Sequence, residues 1–311
     1  MLKNIPHIGI RSQAFLSMVI VTIIFGLHYS IAKSLMPAYY HPLQLVFFRL
    51  LCGFILFWLF QKLFVHEKIV RKDLFKLAIC GFFGLSMNVT LFYIGLHLTT
   101  PVDASIIHVT NPLLVLVLSG LLIGEKITGR KVTGIVLGIT GALILILYGK
   151  GFRLVGQTTI GNILILLNMV SYALYLVLVK PLVSRYHIAT ILKWVSFFGF
   201  LFVVPITFPF VFLTPYHSQD VYSWFGIGYV IVLNTFVAYM LINFSLMHIS
   251  PTTVSYFTYF QPVLAAISSV SAGMERITLS KVIAALLIFS GVYIVTRGTK
   301  RRRPSEEVAE G

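Results

Sequence analysis

Polar side chains lie deep inside the long apolar stretches of this chain, and they are the residues that could do chemistry. They carry imidazole, amide and phenol groups: His28, Asn88, Tyr93, His108, Asn111, Tyr172, Tyr175, Asn243, Tyr256 and Gln261. A polar group in an apolar environment costs free energy unless it is paired or faces a water-filled cavity. Amide and phenol groups with few formal charges suit a neutral, zwitterionic or aromatic solute. We therefore expect these ten side chains to bind a small molecule.

Ionisable residues inside the same stretches, or at their ends, could act in gating or ion pairing: Lys33, Arg49, Asp103, Glu125 and Glu275. Arg49 is either an interface anchor or a clamp for a solute carboxylate, and its position favours neither role. Asp103 lies about one turn into its helix, where the helix N-terminus favours an anion. We expect it to act as a cap or at the interface, the alternative being an outer gate or a proton site.

Glu125 and Glu275 each end an apolar stretch just before a threonine that is typical of a helix N-cap. Lys131 and Lys281 follow them at the same distance in the chain. We therefore expect ordinary surface ion pairs that fix the two connecting loops. The alternative is a pair of ionic gates that alternate.

Motifs for other kinds of chemistry do not occur in the sequence. It has no phosphate-binding P-loop, metalloprotease motif or nucleophile elbow, which excludes an ATP-driven pump. Its two cysteines lie in apolar stretches without the spacing of metal ligands. We expect no catalytic residue, metal or cofactor. The alternative function is a membrane-embedded enzyme that uses His28, His108 and Asp103 on a lipid-like substrate, and it requires those three to converge.

The elements that position these residues are membrane-spanning helices. Of the 311 residues, 58% are apolar and 11% are charged, against about 45–50% and about 25% in soluble domains. The apolar runs do not alternate with polar residues, which excludes an outer-membrane barrel. The fold class is therefore an all-α polytopic membrane protein. The runs predict ten helices, at about 13–35, 42–64, 74–96, 101–123, 130–148, 159–181, 188–212, 222–247, 251–273 and 279–297.

An internal repeat divides the chain into two units of five helices. A shift of 150 residues places Pro112 on Pro262 and Glu125 on Glu275, and further upstream a shift of about 147 places Lys33 on Lys180. We predict a first repeat at 13–148 and a second at 159–297. An odd number of spans per unit inverts the second unit in the membrane, as in carriers that work by alternating access. The repeated prolines should bend their helices near the middle.

The motifs of the two units resemble those of the EamA-type branch of the drug/metabolite transporter superfamily. They are Phe25-Gly26 through Lys33, Pro42 with Arg49, Asn111-Pro112, Gly124-Glu125-Lys126-Ile127-Thr128, Gln261-Pro262 and Glu275-Arg276-Ile277-Thr278. These motifs are specific for the family and weak for the substrate. The resemblance implies a ten-helix carrier that exports amino acids, drugs or other small metabolites through a cavity between its halves.

The net charge of +15 comes from short connectors, so it indicates membrane orientation rather than nucleic-acid binding. Most of these basic residues fall on the side of the N-terminal segment 1–12, which predicts that both termini are cytoplasmic. The basic tail 298–311 should be disordered. We expect an integral protein of a bacterial plasma (inner) membrane. Its expected partners are a small solute and membrane lipids, and a homodimer stays open.

Overall fold

Helices form every regular element in the described parts of the chain. The computed structural model describes residues 9–124, 128–148, 156–213, 220–249 and 257–297. Eight helices within these ranges are long and apolar enough to cross a membrane, and Leu279–Ile294 is a shorter apolar helix. The predicted all-helical fold is confirmed. The predicted disordered tail lies outside the described residues.

The first half of the chain forms five helices whose bounds lie within a few residues of the predicted ones. They are α1 (Ile10–Leu35), α2 (Pro42–Phe64), α3 (Arg71–Gly81 and Asn88–Leu98, joined by the π-helical segment Phe82–Met87), α4 (Pro101–His108 and Asn111–Ile123) and α5 (Gly129–Tyr148). Pro42 and Pro101 begin their helices because a first-turn residue has no intrahelical use for an N–H.

The second half repeats this order. Its helices are α6 (Gln157–Val183), α7 (Ile188–Leu213), α8 (Val221–Gly228 and Ala238–His248, joined by the π-helical segment Tyr229–Val237), α9 (Gln261–Ser271) and α10 (Leu279–Arg297). A shift of 147 residues places the first residue of one π segment, Phe82, on the first residue of the other, Tyr229. The two π segments are therefore repeat-related, and the sequence analysis did not predict them.

The repeated prolines interrupt their helices, as predicted. In α4 a turn at Val109 and Thr110 separates two helical pieces, and Asn111–Pro112 begins the second piece. In the corresponding span of the second half, a turn at 259–260 separates the helical residues 257–258 from Gln261–Pro262, where α9 begins. Proline lacks the amide hydrogen and clashes with the carbonyl four residues earlier, so the preceding turn opens. Both helices are broken at the same position of the repeat.

The two halves pack with the symmetry of a two-fold axis. Helix α2 packs on α7, and α5 packs on α10. Helix α1 contacts α8 and α9, while its counterpart α6 contacts α3 and α4. Exchanging the halves therefore maps the α2–α7 and α5–α10 contacts onto themselves. It maps the contacts of α1 onto those of α6.

The halves also run in opposite directions through the bundle. Thr99, at the end of α3, is hydrogen-bonded to Asn162, near the start of α6. Helix α6 therefore starts at the end of the bundle where α1 finishes and α3 finishes. This is the inverted arrangement that five spans per unit require.

Candidate functional site

A cavity lies between the two halves, near the middle of the bundle. It is lined from the first half by α2 and α3 and from the second half by α6, α7 and α8: Arg49, Leu50, Gly53, Phe57, Gly84, Leu85, Tyr175, Leu192, Val195, Ser196, Thr235 and Tyr239. Both π segments contribute to the wall, through Gly84 and Leu85 on one side and Thr235 on the other. π-helical turns often mark functional sites because they shift side chains out of the α-helical register.

Among the described residues that line this cavity, Arg49 is the charged one. Its side chain is nine-tenths buried, and its guanidinium carbon lies 5.8 Å from the centre of the Tyr93 ring. The ion pairs formed by the described residues do not include Arg49. A membrane-embedded cation normally has a counter-charge or faces a water-filled space, and here it faces the cavity.

Aromatic and imidazole rings form a compact cluster beside Arg49. The ring centres of His28 and His108 each lie 5.5 Å from that of Phe92, and Tyr93 packs edge-on against Phe92. The Tyr29 hydroxyl lies 2.9 Å from Nδ1 of His108. Within the described residues, both ring nitrogens of His28 and Nε2 of His108 have no hydrogen-bond partner. The Tyr93 ring thus lies between His28 and Arg49, and His108, which also has an unused ring nitrogen, lies beside the same Phe92 ring.

The predicted amide residues differ in what they contact. Asn88 and Asn168 bind each other's backbone carbonyl through their amide nitrogens, at 3.0 and 2.7 Å, and so join α3 to α6. The amide nitrogen of Asn88 is thus used in a contact between the halves. The side-chain oxygen of Asn111 has no partner among the described residues, and Gln261 is buried.

The predicted tyrosine pair is partly in the cavity. Tyr172 and Tyr175 stack with ring centres 5.9 Å apart, and Tyr175 lines the cavity. Gly84 of the π segment lies against the Tyr175 ring so closely that an added Cβ would be 2.5 Å from its Cδ2 atom. A side chain at position 84 would therefore displace Tyr175.

Some of the predicted site residues are not among the residues that the structure describes. Glu125 and Tyr256 lie outside the described residues, and so does the side chain of Asn243. Their predicted roles stay predictions.

Lys33 binds the end of α3 instead of the cavity. Its ammonium group donates hydrogen bonds to the carbonyl oxygens of Leu96, His97 and Thr99, at 2.9, 2.5 and 2.8 Å. A cation at a helix C-terminus satisfies carbonyls that lack an intrahelical donor and lies at the negative end of the helix dipole. These contacts make Lys33 an anchor at a helix end.

Asp103, Glu275 and Lys281 form a buried ionic cluster between the halves. Lys281 is only 3% exposed; it lies 3.1 Å from Oδ1 of Asp103, forms an ion pair with Glu275 and donates to the Thr100 hydroxyl at 3.0 Å. Glu275 also accepts the backbone N–H of Val102. The expected ion pair between Glu275 and Lys281 is therefore present, but its expected surface position is wrong, because the carboxylate of Asp103 also binds the lysine inside the fold. The prediction that Asp103 caps its helix is also wrong, because the Thr100 hydroxyl caps α4.

Two tyrosine–aspartate contacts join the halves at opposite ends of the bundle, and the sequence analysis missed both. The Tyr39 hydroxyl donates to Asp220 at 3.0 Å, and the Tyr186 hydroxyl donates to Asp73 at 2.9 Å. Tyr39 lies between α1 and α2, whereas Asp73 follows the connection between α2 and α3, so the contacts are at opposite ends. We call them the first contact (Tyr39–Asp220) and the second contact (Tyr186–Asp73).

The repeat relates the two contacts to each other. The shift of 147 residues that places Lys33 on Lys180 also places Tyr39 on Tyr186 and Asp73 on Asp220. In the first contact the Ser223 amide, bound at 2.9 Å, holds the pKa of the Asp220 carboxyl below its usual value. The hydrogen bond to Asp220 raises the pKa of Tyr39. In the second, Arg185 and Lys76 lie 3.7 and 3.8 Å from the Asp73 carboxylate.

Comparison with known proteins identifies the chain. The model of the EamA-like transporter family matches it twice, over residues 12–147 and 159–297. The chain belongs to this family.

Several known proteins are similar to this chain over most of their length. The uncharacterized transporter YetK of Bacillus subtilis (strain 168) is 27% identical over 252 residues, which cover 79% of this chain and 76% of YetK. The uncharacterized transporter YvbV of the same organism is 25% identical and covers 97% and 96%. The WAT1-related protein At3g53210 of Arabidopsis thaliana is 24% identical and covers 72% and 68%. A crystal structure with 19% identity superimposes with a TM-score of 0.61 over 94% of this chain and 100% of that one, which shows the same fold.

This EamA-like protein is an integral membrane transporter with the ten-helix fold of its family, and not an enzyme. Asp103 is engaged by Lys281, and among the described residues no hydrogen bond or ion pair joins it to His28 or His108. The three residues that a membrane-embedded enzyme would have used are not assembled.

Proposed function

We propose that the protein is a secondary carrier that exports a small metabolite, amino acid-like or drug-like, across a bacterial plasma membrane by alternating access. The observation that supports this is the pair of repeat-related tyrosine–aspartate contacts, one at each end of the bundle, with the cavity between them. In such a carrier the two halves rock about a fixed central site. Each contact links an element of one half to an element of the other, so rocking breaks one of them at a time.

The charge distribution supports an orientation of the two ends in the membrane. With both termini in the cytoplasm, as the basic residues favour, the first contact faces outward and the second faces the cytoplasm. The two cations beside Asp73 fit the cytoplasmic side. A membrane lipid environment and a small solute are the partners that this function requires. A homodimer is compatible with it.

Spin-label distances test the two contacts without any knowledge of the solute. Labels at Ala38 and Val221 report on the first end, and labels at Ser184 and Phe75 report on the second; all four positions are exposed. We expect Tyr39→Phe to lengthen only the Ala38–Val221 distances and Tyr186→Phe to lengthen only the Ser184–Phe75 distances. Loss of one hydrogen bond should change the open population by about 2- to 10-fold.

The matched substitutions make the result decisive, because each removes one hydroxyl and keeps the ring. If both variants widen the same end, or if neither changes either distance, the contacts are not alternating gates. A protein that moves solute at a rate linear in concentration, without saturation, would contradict the carrier itself.

A further inference from the structure

We infer that the cavity binds a solute that carries one carboxylate on an apolar or aromatic body, and that the Arg49 guanidinium binds this carboxylate. The inference rests on the proposed function and names the substrate class of the same site. It follows from the charge of the cavity, from its hydrogen-bond donors and from its apolar wall.

The charge of the cavity calls for an anion. Arg49 is nine-tenths buried, and within the described parts of the chain it alone brings a charge to the lining of the cavity. None of the carboxylates in the described ranges lies within ion-pair distance of it; Asp73, Asp103 and Glu275 are bound to other cations, and Asp220 is at the first contact. The other groups that face it, Tyr93 and the nearby His28, do not carry a negative charge at neutral pH. A bound anion would supply the missing counter-charge.

The hydrogen-bond donors of the cavity also indicate Arg49 as the group that binds an anion. The Ser196 hydroxyl donates to the carbonyls of Leu192 and Lys193 at 2.6 and 3.0 Å, and the Thr235 hydroxyl donates to Val230 at 2.8 Å. These hydroxyl hydrogens are used within their own helices. The other side-chain donors among the described lining residues are the Tyr175 and Tyr239 hydroxyls and the Arg49 guanidinium. Of these, the guanidinium has the charge and the planar fork that match the two oxygens of a carboxylate.

The rest of the wall is apolar or aromatic. Leu50, Phe57, Leu85, Leu192 and Val195 line it together with the ring of Tyr175. Such a surface favours an apolar body over a second charge, because a further charged group would be desolvated without a partner. Within the proposed range of small metabolites, the chemistry of the site thus selects a monocarboxylate with an apolar or aromatic body over an amino acid-like zwitterion.

Direct binding to the purified full-length protein tests this with pairs of probes that differ in charge alone. The probes are radiolabelled phenylacetate and 3-phenylpropanoate, each compared with its neutral amide. We expect both acids to bind and Arg49→Gln to weaken their binding by about 10- to 100-fold, the usual effect of losing a hydrogen-bonded charge partner. Arg49→Lys should recover part of the loss, and Arg130→Gln, which removes an exposed positive charge outside the cavity, should leave binding unchanged.

Three results would overturn the inference: no detectable binding of either acid, equal binding of acid and amide, or equal loss in Arg49→Gln and Arg130→Gln. A gel-filtration profile identical to that of the original protein shows that a variant has folded. Uptake of the acids into proteoliposomes separates this inference from the carrier proposal. Arg49-dependent binding without saturable uptake contradicts only the carrier, and saturable uptake that Arg49→Gln does not slow contradicts only the carboxylate site.

Discussion

Lys281 shows how single residues can be positioned by charges that lie far from them in the sequence. The sequence analysis placed it on the surface because it lies next to a connector and close to Glu275. In the fold it is 3% exposed and lies between Glu275 and Asp103, 178 residues earlier in the chain. The cluster contains two carboxylates and one ammonium group. Without the lysine, two buried negative charges would face each other.

Removing the ammonium group should therefore destabilise the protein strongly. For Lys281→Met we expect the free energy of unfolding to fall by about 3–5 kcal/mol, the usual cost of breaking a buried ion pair from one side. Thermal unfolding of the purified protein in detergent measures the effect. Arg276→Met is the matched control, because Arg276 is exposed, and it should change stability by less than about 0.5 kcal/mol. Equal melting temperatures for both variants would show that Lys281 does not stabilise the junction.

The helices themselves were predictable because their cause is local. Apolar runs of about 20 residues can form nothing but spans in a bilayer, and α2 has the bounds that the run 42–64 predicted. The breaks at Asn111–Pro112 and Gln261–Pro262 follow from the missing amide hydrogen of proline. The π segments were not predicted, because nothing local distinguishes Phe82–Met87 from the α-helical residues around it.

Within the candidate site, the sequence located residue types better than it located contacts. Tyr175 and Arg49 line the cavity, but Asn88 joins α3 to α6, and Lys33 binds the carbonyl groups at the end of α3. An apolar run shows that a polar residue is inside the membrane, and it does not show which neighbour the residue faces. That information lies in the packing of α3 on α6 and of α1 on α3, which only the three-dimensional structure contains.

The close packing at the π segment of α3 predicts that a larger residue at position 84 destabilises the protein. Because an added Cβ at position 84 would lie 2.5 Å from Tyr175, Gly84→Ala should force Tyr175 into the cavity or apart from α3. We expect a loss of about 1–3 kcal/mol in the free energy of unfolding, as in other overpacked interiors. Gly228→Ala is the control within a helix, because no atom lies within 4 Å of its added Cβ.

The two substitutions should change the free energy of unfolding in opposite directions. Alanine favours helix over glycine by up to about 1 kcal/mol, so Gly228→Ala should leave the protein at least as stable as before. Thermal unfolding of both variants in the same detergent provides the comparison. If Gly84→Ala is as stable as Gly228→Ala, the close approach of α3 to Tyr175 does not constrain the fold.

At the scale of the whole molecule, the repeat relates structures that look unrelated in the sequence. One shift of 147 residues connects the two π segments, and it connects the two tyrosine–aspartate contacts. The Asp103–Lys281–Glu275 cluster lies at the first end, and the shift of 150 residues that matches Glu125 to Glu275 places a threonine, Thr253, opposite Asp103. The repeat therefore does not place a second carboxylate at the position equivalent to Asp103.

The response of the first end to pH follows from the two groups of the first contact. The pKa of Asp220 is lowered from 3.8, so its carboxylate stabilises the contact at all pH values above about 4 and stops doing so only as pH falls through the lowered pKa. The pKa of Tyr39 is raised from 10.0, so the donating hydroxyl persists at all pH values below about 10 and is lost as pH rises through the raised pKa. The spin-label distance between Ala38 and Val221 should therefore stay constant from about pH 4 to about pH 10 and lengthen outside that window. In Asp220→Asn the acid transition should disappear, because no carboxylate remains to be protonated there. A transition centred between about pH 5 and about pH 7 in the unsubstituted protein would show that a histidine, and not the first contact, governs this end of the molecule.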